Sequence, residues 1–488
     1  MIRKLCCLFL CALLPGAGSL RALAATATPD RPFLHPLFGD NVVLQREIAI
    51  PVWGWTEPGK EVTVRLGGKA VVAVADATGK WFAKLNRFRA GGPYTMTVDG
   101  LESVTLTNVL IGDVWLCSGQ SNMEMGIQKV LNAPEEIAHS DHPKIRFFTA
   151  PKVTAGSPQL TVKGQWLPCN PATVVEGGWG GFSALAYFFG RDLQRDIGIP
   201  IGLIHAAWGG TLAESWTSAE ALNTLPDVHV MVKQVQVALA RLTGTFAENN
   251  PNVGSVLFNG MIAPLIPYGI KGVIWYQGEA NAPHAAQYRA LLTTMIRDWR
   301  KRFQLGDFPF LMVQLANFQP VAPEPGESSW AELREAQDLT ARTEPKTGLA
   351  IAIDLGDPYD VHPRNKQEVA RRLVLVAEAI AYGKNVEYLG PRYRSMKIKG
   401  NTIRLKFDQA PNGLVAKGKK LEGFAIAGLD QHYVWADATI DGSTVIVSSP
   451  RVANPVSVRY GWADNPVCNL YNHAGLPASP FRTKEPPR

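Results

Sequence analysis

Gly112-Asp113-Val114-Trp115-Leu116-Cys117-Ser118-Gly119-Gln120-Ser121-Asn122-Met123-Glu124-Met125 is the stretch around which the rest of the chain is organised. Val114–Cys117 is a short apolar run, as expected of a buried strand. Gly119 breaks it, and Ser121 comes next, before a longer segment. A serine on a sharp turn between a buried strand and a helix is where many hydrolases expose a nucleophile. The N–H groups of such a turn can also meet an oxyanion. Glycine and serine are ordinary turn residues as well, so on its own the block reads first as a plain turn.

Working outward, strands and helices alternate from about Ile111. Ser183–Ile197, Gln287–Phe303 and Lys366–Tyr382 have helical spacing, the last closed by Gly383. Continuous apolar runs lie between them: Ile201–Ile204, Val273–Tyr276, Phe310–Val313 and Leu349–Ile353. Such runs suit strands covered on both faces, as in a parallel sheet. Ligands of open α/β sheets bind beyond the carboxyl ends of the strands.

The residues just past each run are therefore informative. Ser121 lies past the first, Trp208-Gly209-Gly210-Thr211 past the second, Gln277-Gly278-Glu279-Ala280-Asn281 past the third, and Asp357-Pro358-Tyr359-Asp360-Val361-His362 past the last. A nucleophile, a glycine pair, an amide with a carboxylate, and acids with a histidine are the parts that acyl transfer by a serine needs. Each alone is an ordinary loop. Their convergence on one sheet edge points to a hydrolase.

The chain has 488 residues, which suits two or three domains, and its composition is globular: 46% hydrophobic and 19% charged. Residues 33–110 carry short strand candidates separated by Gly and Pro turns and read as a β-sandwich domain. Residues 111–384 read as the catalytic domain, and 385–488 as a second accessory β-rich region. The chain has 13 tryptophans, most read as core, although an indole face also suits a pyranose ring.

Residues 1–24 read as a cleaved signal peptide, with basic Arg3 and Lys4, apolar Leu5–Leu14 and small Ala22 and Ala24. A periplasmic or secreted protein is therefore expected, and a retained anchor is the lesser alternative. No later stretch is apolar enough to span a bilayer. The formal net charge is +7, of which Arg3, Lys4 and Arg21 belong to the leader. That is mild and unclustered, so nucleic-acid binding is not expected. Cys117 reads as a buried thiol, while Cys169 and Cys468 are a pairing that spacing leaves open. No CxxC or HExxH pattern indicates a metal, and no cofactor is expected.

These residues resemble the sialate O-acetylesterase family within the SGNH (GDSL-like) hydrolases. The resemblance rests on Val43-Leu44-Gln45-Arg46, Gly112–Met123, Trp208–Thr211, Trp275-Tyr276-Gln277-Gly278-Glu279, Trp330–Gln337, Asp360–Pro363, Asn469–Asn472 and Gly475-Leu476-Pro477. It implies an SGNH-type parallel sheet flanked by helices and a metal-free enzyme whose substrate is an acetylated sugar or polysaccharide. It further implies Ser121 as nucleophile, His362 as general base, and the Ser121 N–H, the Gly210 N–H and the Gln277 amide as oxyanion donors. The usual aspartate, three residues before the histidine, is replaced by Tyr359. Asp360 is the favoured acid and Asp357 the alternative, with a Ser–His dyad helped by a backbone carbonyl also open. Asn122, Trp208 and Glu279 are candidate pocket residues. Lys366, Arg364 and Glu335 read as structural, although Arg334 or Arg364 would suit the carboxylate of a sialic acid. Acetylated xylan or xyloglucan, a long-chain ester and a non-catalytic glycan-binding role are the competing readings.

Overall fold

The computed structural model describes residues 31–226 and 250–484. The leader expected at 1–24 lies outside the described residues. The core is a twisted sheet of β1 (Ser103–Gly119), β2 (His142–Thr149), β3 (Trp166–Cys169), β4 (Ile201–Ala207), β5 (Gly272–Tyr276), β6 (Phe310–Val313) and β7 (Thr347–Ala350). Their spatial order is β7-β6-β5-β1-β4-β2-β3. All neighbours run parallel except the β2–β3 edge pair.

The apolar runs divide between two faces, as the two-residue period of a strand requires. Val114 and Leu116 of β1, Val273 and Trp275 of β5, and Phe310 and Met312 of β6 enter one core. Trp115, Cys117, Ile274, Tyr276, Leu311 and Val313 enter the other. Helix α1 (Ser121–Glu124) comes directly after β1. The second core is closed by α2 (Ala184–Ile197) and α5 (Lys366–Tyr382). The first is closed by α3 (Ala285–Phe303) and α4 (Ser329–Thr343), with the N-terminal β-strands.

The boundary expected at 110/111 falls inside β1. Its first half pairs antiparallel with Gly91–Asp99, and its second half lies between β4 and β5. One 17-residue strand thus serves both the N-terminal β-region and the central sheet. At the other end, two four-stranded antiparallel sheets share a core that includes Ile403, Leu405, Ile426, Val445, Val458 and Tyr460. This region is tied back to the loops after β6 and β7: Tyr471 donates to Asp354 at 2.9 Å, and Asn317 to Asn465 at 2.8 Å. No helix among the described residues is long and apolar enough to cross a membrane. Cys117, Cys169 and Cys468 are all free thiols.

Candidate functional site

The carboxyl ends of β1, β4 and β5 meet where the chain order reverses across the sheet, the crevice where such folds bind ligands. Gly119 makes the turn there. Its φ is +142°, and a Cβ would stand 2.1 Å from the Tyr276 carbonyl oxygen. That same carbonyl accepts the Gln120 N–H at 3.0 Å. The close crossing of β1 and β5 excludes any side chain at residue 119 and delivers Ser121 to the first position of α1.

Ser121 Oγ lies 2.9 Å from His362 Nε2, although the two are 241 residues apart. His362 Nδ1 lies 2.9 Å from Asp360 Oδ1. A carboxylate only accepts, so Nδ1 carries the proton and Nε2 presents its lone pair to the serine hydroxyl. Asp357 makes no such contact; its Oδ1 accepts the Tyr359 and Asp360 N–H groups. The structure therefore brings Ser121, His362 and Asp360 together in hydrogen-bonding sequence.

The glycine pair after β4 folds onto the serine. A Cβ on Gly209 would stand 3.2 Å from Ser121 Cβ, and the Gly209 N–H donates to Glu124 Oε2 at 2.6 Å. The N–H groups of Ser121 and Gly210 have no protein acceptor among the described residues. Glu124, not singled out from the sequence, thus anchors the loop, and its Oε1 accepts Lys152 Nζ at 2.6 Å. Trp208 stands beside them, with Lys152 Nζ 5.5 Å from its ring centroid.

Gln277 departs from the expected donor role. It is wholly buried, and its amide nitrogen donates to Thr211 O at 3.0 Å and to Asn281 Oδ1 at 2.6 Å. Its Oε1 accepts Tyr288 O–H at 2.8 Å. The orientation is fixed by Asn281, whose own Oδ1 accepts the Ala213 N–H and whose nitrogen donates to Glu214. Both amide hydrogens are committed to holding the loops after β4 and β5 together, so neither reaches the serine.

Asn122 departs likewise from the pocket role. It is 1% exposed, and its nitrogen donates to Glu279 Oε1 at 2.5 Å and Val361 O at 3.0 Å. Its Oδ1 accepts Lys366 Nζ at 2.6 Å. It joins the turn that carries Ser121 to the residue before His362. Burial lowers the Lys366 ammonium to about 7, against the pull of Glu279, and burial raises the Glu279 carboxyl. Glu279 Oε2 has no protein partner. Arg334 is 0% exposed, and its guanidinium donates to the carbonyls of Leu315, Ala316, Ala463 and Asp464. It fastens the C-terminal region and is not available to a substrate. Glu335 pairs with Arg482, and Arg364 is exposed beside His362.

One further residue reaches the pair. The Trp179 and His362 rings form a T-shaped pair, with centroids 4.8 Å apart and planes at 72°. The only sequence signal for it is an aromatic residue set among Gly177, Gly178, Gly180 and Gly181.

Residues 111–373 match a family model described as carbohydrate esterase, sialic acid-specific acetylesterase. A sialate O-acetylesterase from Mus musculus is 32% identical, with 91% of this chain and 92% of that protein covered. One from Homo sapiens is 33% identical, with 91% and 90% covered. Among solved structures, a carbohydrate acetylesterase from Xanthomonas citri superposes with a TM-score of 0.83 at 39% identity, covering 94% of this chain and 100% of that one.

Proposed function

The chain belongs to the sialic acid-specific acetylesterase family of carbohydrate esterases, and from that premise we propose that it removes O-acetyl groups from sugars by serine catalysis at Ser121. The observation that carries the proposal is the 2.9 Å contact between Ser121 Oγ and His362 Nε2 at the carboxyl edge of the sheet.

In the first half-reaction His362 Nε2 takes the hydroxyl proton as Oγ bonds to the acetyl carbonyl carbon. Negative charge moves to the carbonyl oxygen, which the Ser121 and Gly210 N–H groups stabilise. The C–O bond to the sugar breaks, and the sugar oxygen takes the proton back from Nε2. Water then adds to the acetyl-enzyme with Nε2 again as base, and acetate leaves as Oγ is reprotonated. Asp360 holds the Nδ1–H tautomer and balances the imidazolium. The approach of Gly209 to Ser121 supports Gly210 as the second oxyanion donor.

The leader pattern of residues 1–24 supports export, to the periplasm or beyond. N-terminal sequencing of exported protein would then begin near Ala25.

The test is acetate release from acetylated monosaccharides, acetylated xylan and an aryl acetate, by the native protein and Ser121→Ala. The native protein should turn over acetyl esters, and the variant should lose about 10⁴-fold or more. Activity peaking on long acyl chains would instead indicate a lipase or thioesterase. Glycan binding without acetate release would indicate a binding protein.

A further inference from the structure

Beside the Ser121–His362 pair is a cavity of about 430 Å³, bounded in part by Glu124, Lys152, Glu176, Trp179, Phe182 and His205. Its size falls in the range of small-molecule sites. Two of its residues also touch the reaction centre: Trp179 contacts His362, and Glu124 holds Gly209.

Trp179 is 37% exposed on a glycine-rich loop, yet its backbone is held. Its carbonyl accepts the Gly126 N–H, and the next carbonyl accepts the Gln128 N–H, both at 3.0 Å. At 37% exposure the indole keeps accessible ring surface at the cavity wall. An indole face suits the C–H side of a pyranose ring, an apolar surface bordered by hydroxyls.

The cavity wall carries two carboxylates, Glu124 and Glu176, against one ammonium. That ammonium, Lys152, is already 2.6 Å from Glu124. Glu176 has no ion pair among the described residues. His205 adds no charge near neutrality, because burial lowers it to about 4, and its Nε2 lacks a protein partner. The wall therefore offers hydrogen-bonding groups and no uncompensated cation. A sugar carboxylate placed there would face Glu176 unbalanced, whereas hydroxyls would find both donors and acceptors.

We propose that this cavity is the sugar subsite of the esterase, that Trp179 is its ring platform, and that it takes a neutral pyranose in preference to a carboxylate-bearing sugar. The proposal rests on the esterase reading of Ser121 and His362. Arg364 lies outside the cavity, with its Nε on the Lys129 carbonyl at 3.2 Å.

The test compares steady-state kinetics on an O-acetylated methyl glucoside, O-acetylated N-acetylneuraminic acid and ethyl acetate. For the native protein, kcat/KM for the glucoside ester should exceed that for the neuraminic acid ester by about tenfold or more, the factor for ~1.4 kcal/mol. Trp179→Ala should raise KM for the glucoside ester at least ~10-fold more than for ethyl acetate, without moving the pH of half-maximal rate. Trp179→Phe should recover most of that loss, and Glu176→Gln should narrow the discrimination against neuraminic acid. Equal losses on both esters with a displaced pH profile would make Trp179 only a prop for His362 and overturn the platform. Preference for the neuraminic acid ester that disappears in Arg364→Ala would place carboxylate recognition outside the cavity and overturn the selectivity. In both cases ethyl acetate would still be hydrolysed through Ser121. A native protein that leaves ethyl acetate intact would instead defeat the esterase reading, and the subsite with it.

Discussion

Asp360 Oδ1 accepts two hydrogen bonds from His362, one from Nδ1 and one from the backbone N–H, each 2.9 Å long. The two residues are two apart in the chain, so a single tight turn sets both the position and the tautomer of the imidazole. The Asp360 side chain is nevertheless 54% exposed. Water competes for its charge, and the electrostatic share of its help is smaller than for a buried triad acid. Asp360→Asn should therefore lower kcat by about 10²–10³, short of the ~10⁴ known for a buried triad aspartate. Asp357→Asn should cost less, since Asp357 bonds only the backbone of the turn. Parallel kcat/KM measurements check this; a larger loss in Asp357→Asn would reverse the assignment.

Gln277 makes the opposite kind of prediction. A removed oxyanion donor lowers turnover about 10²–10³-fold and leaves stability nearly intact. Here Gln277→Ala would leave the buried Thr211 carbonyl without its donor and remove one partner each from Asn281 Oδ1, which keeps the Ala213 N–H, and Tyr288 O–H, which keeps the Gln277 backbone carbonyl at 3.2 Å. A loss of about 1–3 kcal/mol of stability is expected from the one unmet carbonyl, with a smaller change in kcat for the fraction that remains folded. Urea unfolding beside initial rates separates the two accounts.

Glu124 bears on the reaction through Gly209. Its carboxylate holds that N–H at 2.6 Å and the Lys152 ammonium at 2.6 Å. Glu124→Gln keeps the shape but removes the charge that strengthens both bonds. The Gly209-Gly210 loop would then be less well held over Ser121. A kcat decrease of about tenfold to a hundredfold is expected, corresponding to ~1.4–2.7 kcal/mol, with KM less affected. Unchanged kcat would show that the loop holds its place without Glu124.

The strands and the position of Ser121 just past one of them are legible in the sequence because the apolar runs are buried on both faces and each ends in a polar loop. Helix α4 is not. Arg334 and Gln337 are each fully buried on it, so its inward side is as polar as its outward side and the periodicity fades. Its start signal is present, since Ser328 Oγ accepts the Ala331 N–H at 3.0 Å. Gln277 and Asn122 do stand at the strand ends, yet their chemistry depends on which way an amide points. Asn281 and Lys366 decide that, and Lys366 lies 244 residues from Asn122. Trp179 is visible only as an aromatic among glycines, because its contact with His362 spans separate loops.

Lys366 gives the stability of the fold a distinctive pH dependence. Its ammonium donates to Asn122 Oδ1 at 2.6 Å and stands 5.1 Å from the Tyr276 ring centroid, fully buried. Burial lowers its pKa from 10.5 to about 7, although Glu279 and Asp360 oppose the shift. Between those two values the unfolded chain holds a proton that the folded chain has released. Stability from this group must therefore rise as pH increases from about 7 towards 10.5, with a slope of at most roughly 1.4 kcal/mol per pH unit. Below pH 7 both states carry the charge, and the full burial penalty remains. Lys366→Met removes the titrating group and should flatten the rise, while leaving Asn122 Oδ1 without its donor. Unfolding midpoints in urea at intervals from pH 6 to 10, for both proteins, measure the difference. A native curve parallel to that of Lys366→Met would mean that the lysine stays charged in the fold throughout the range, held by Glu279 rather than neutralised by burial.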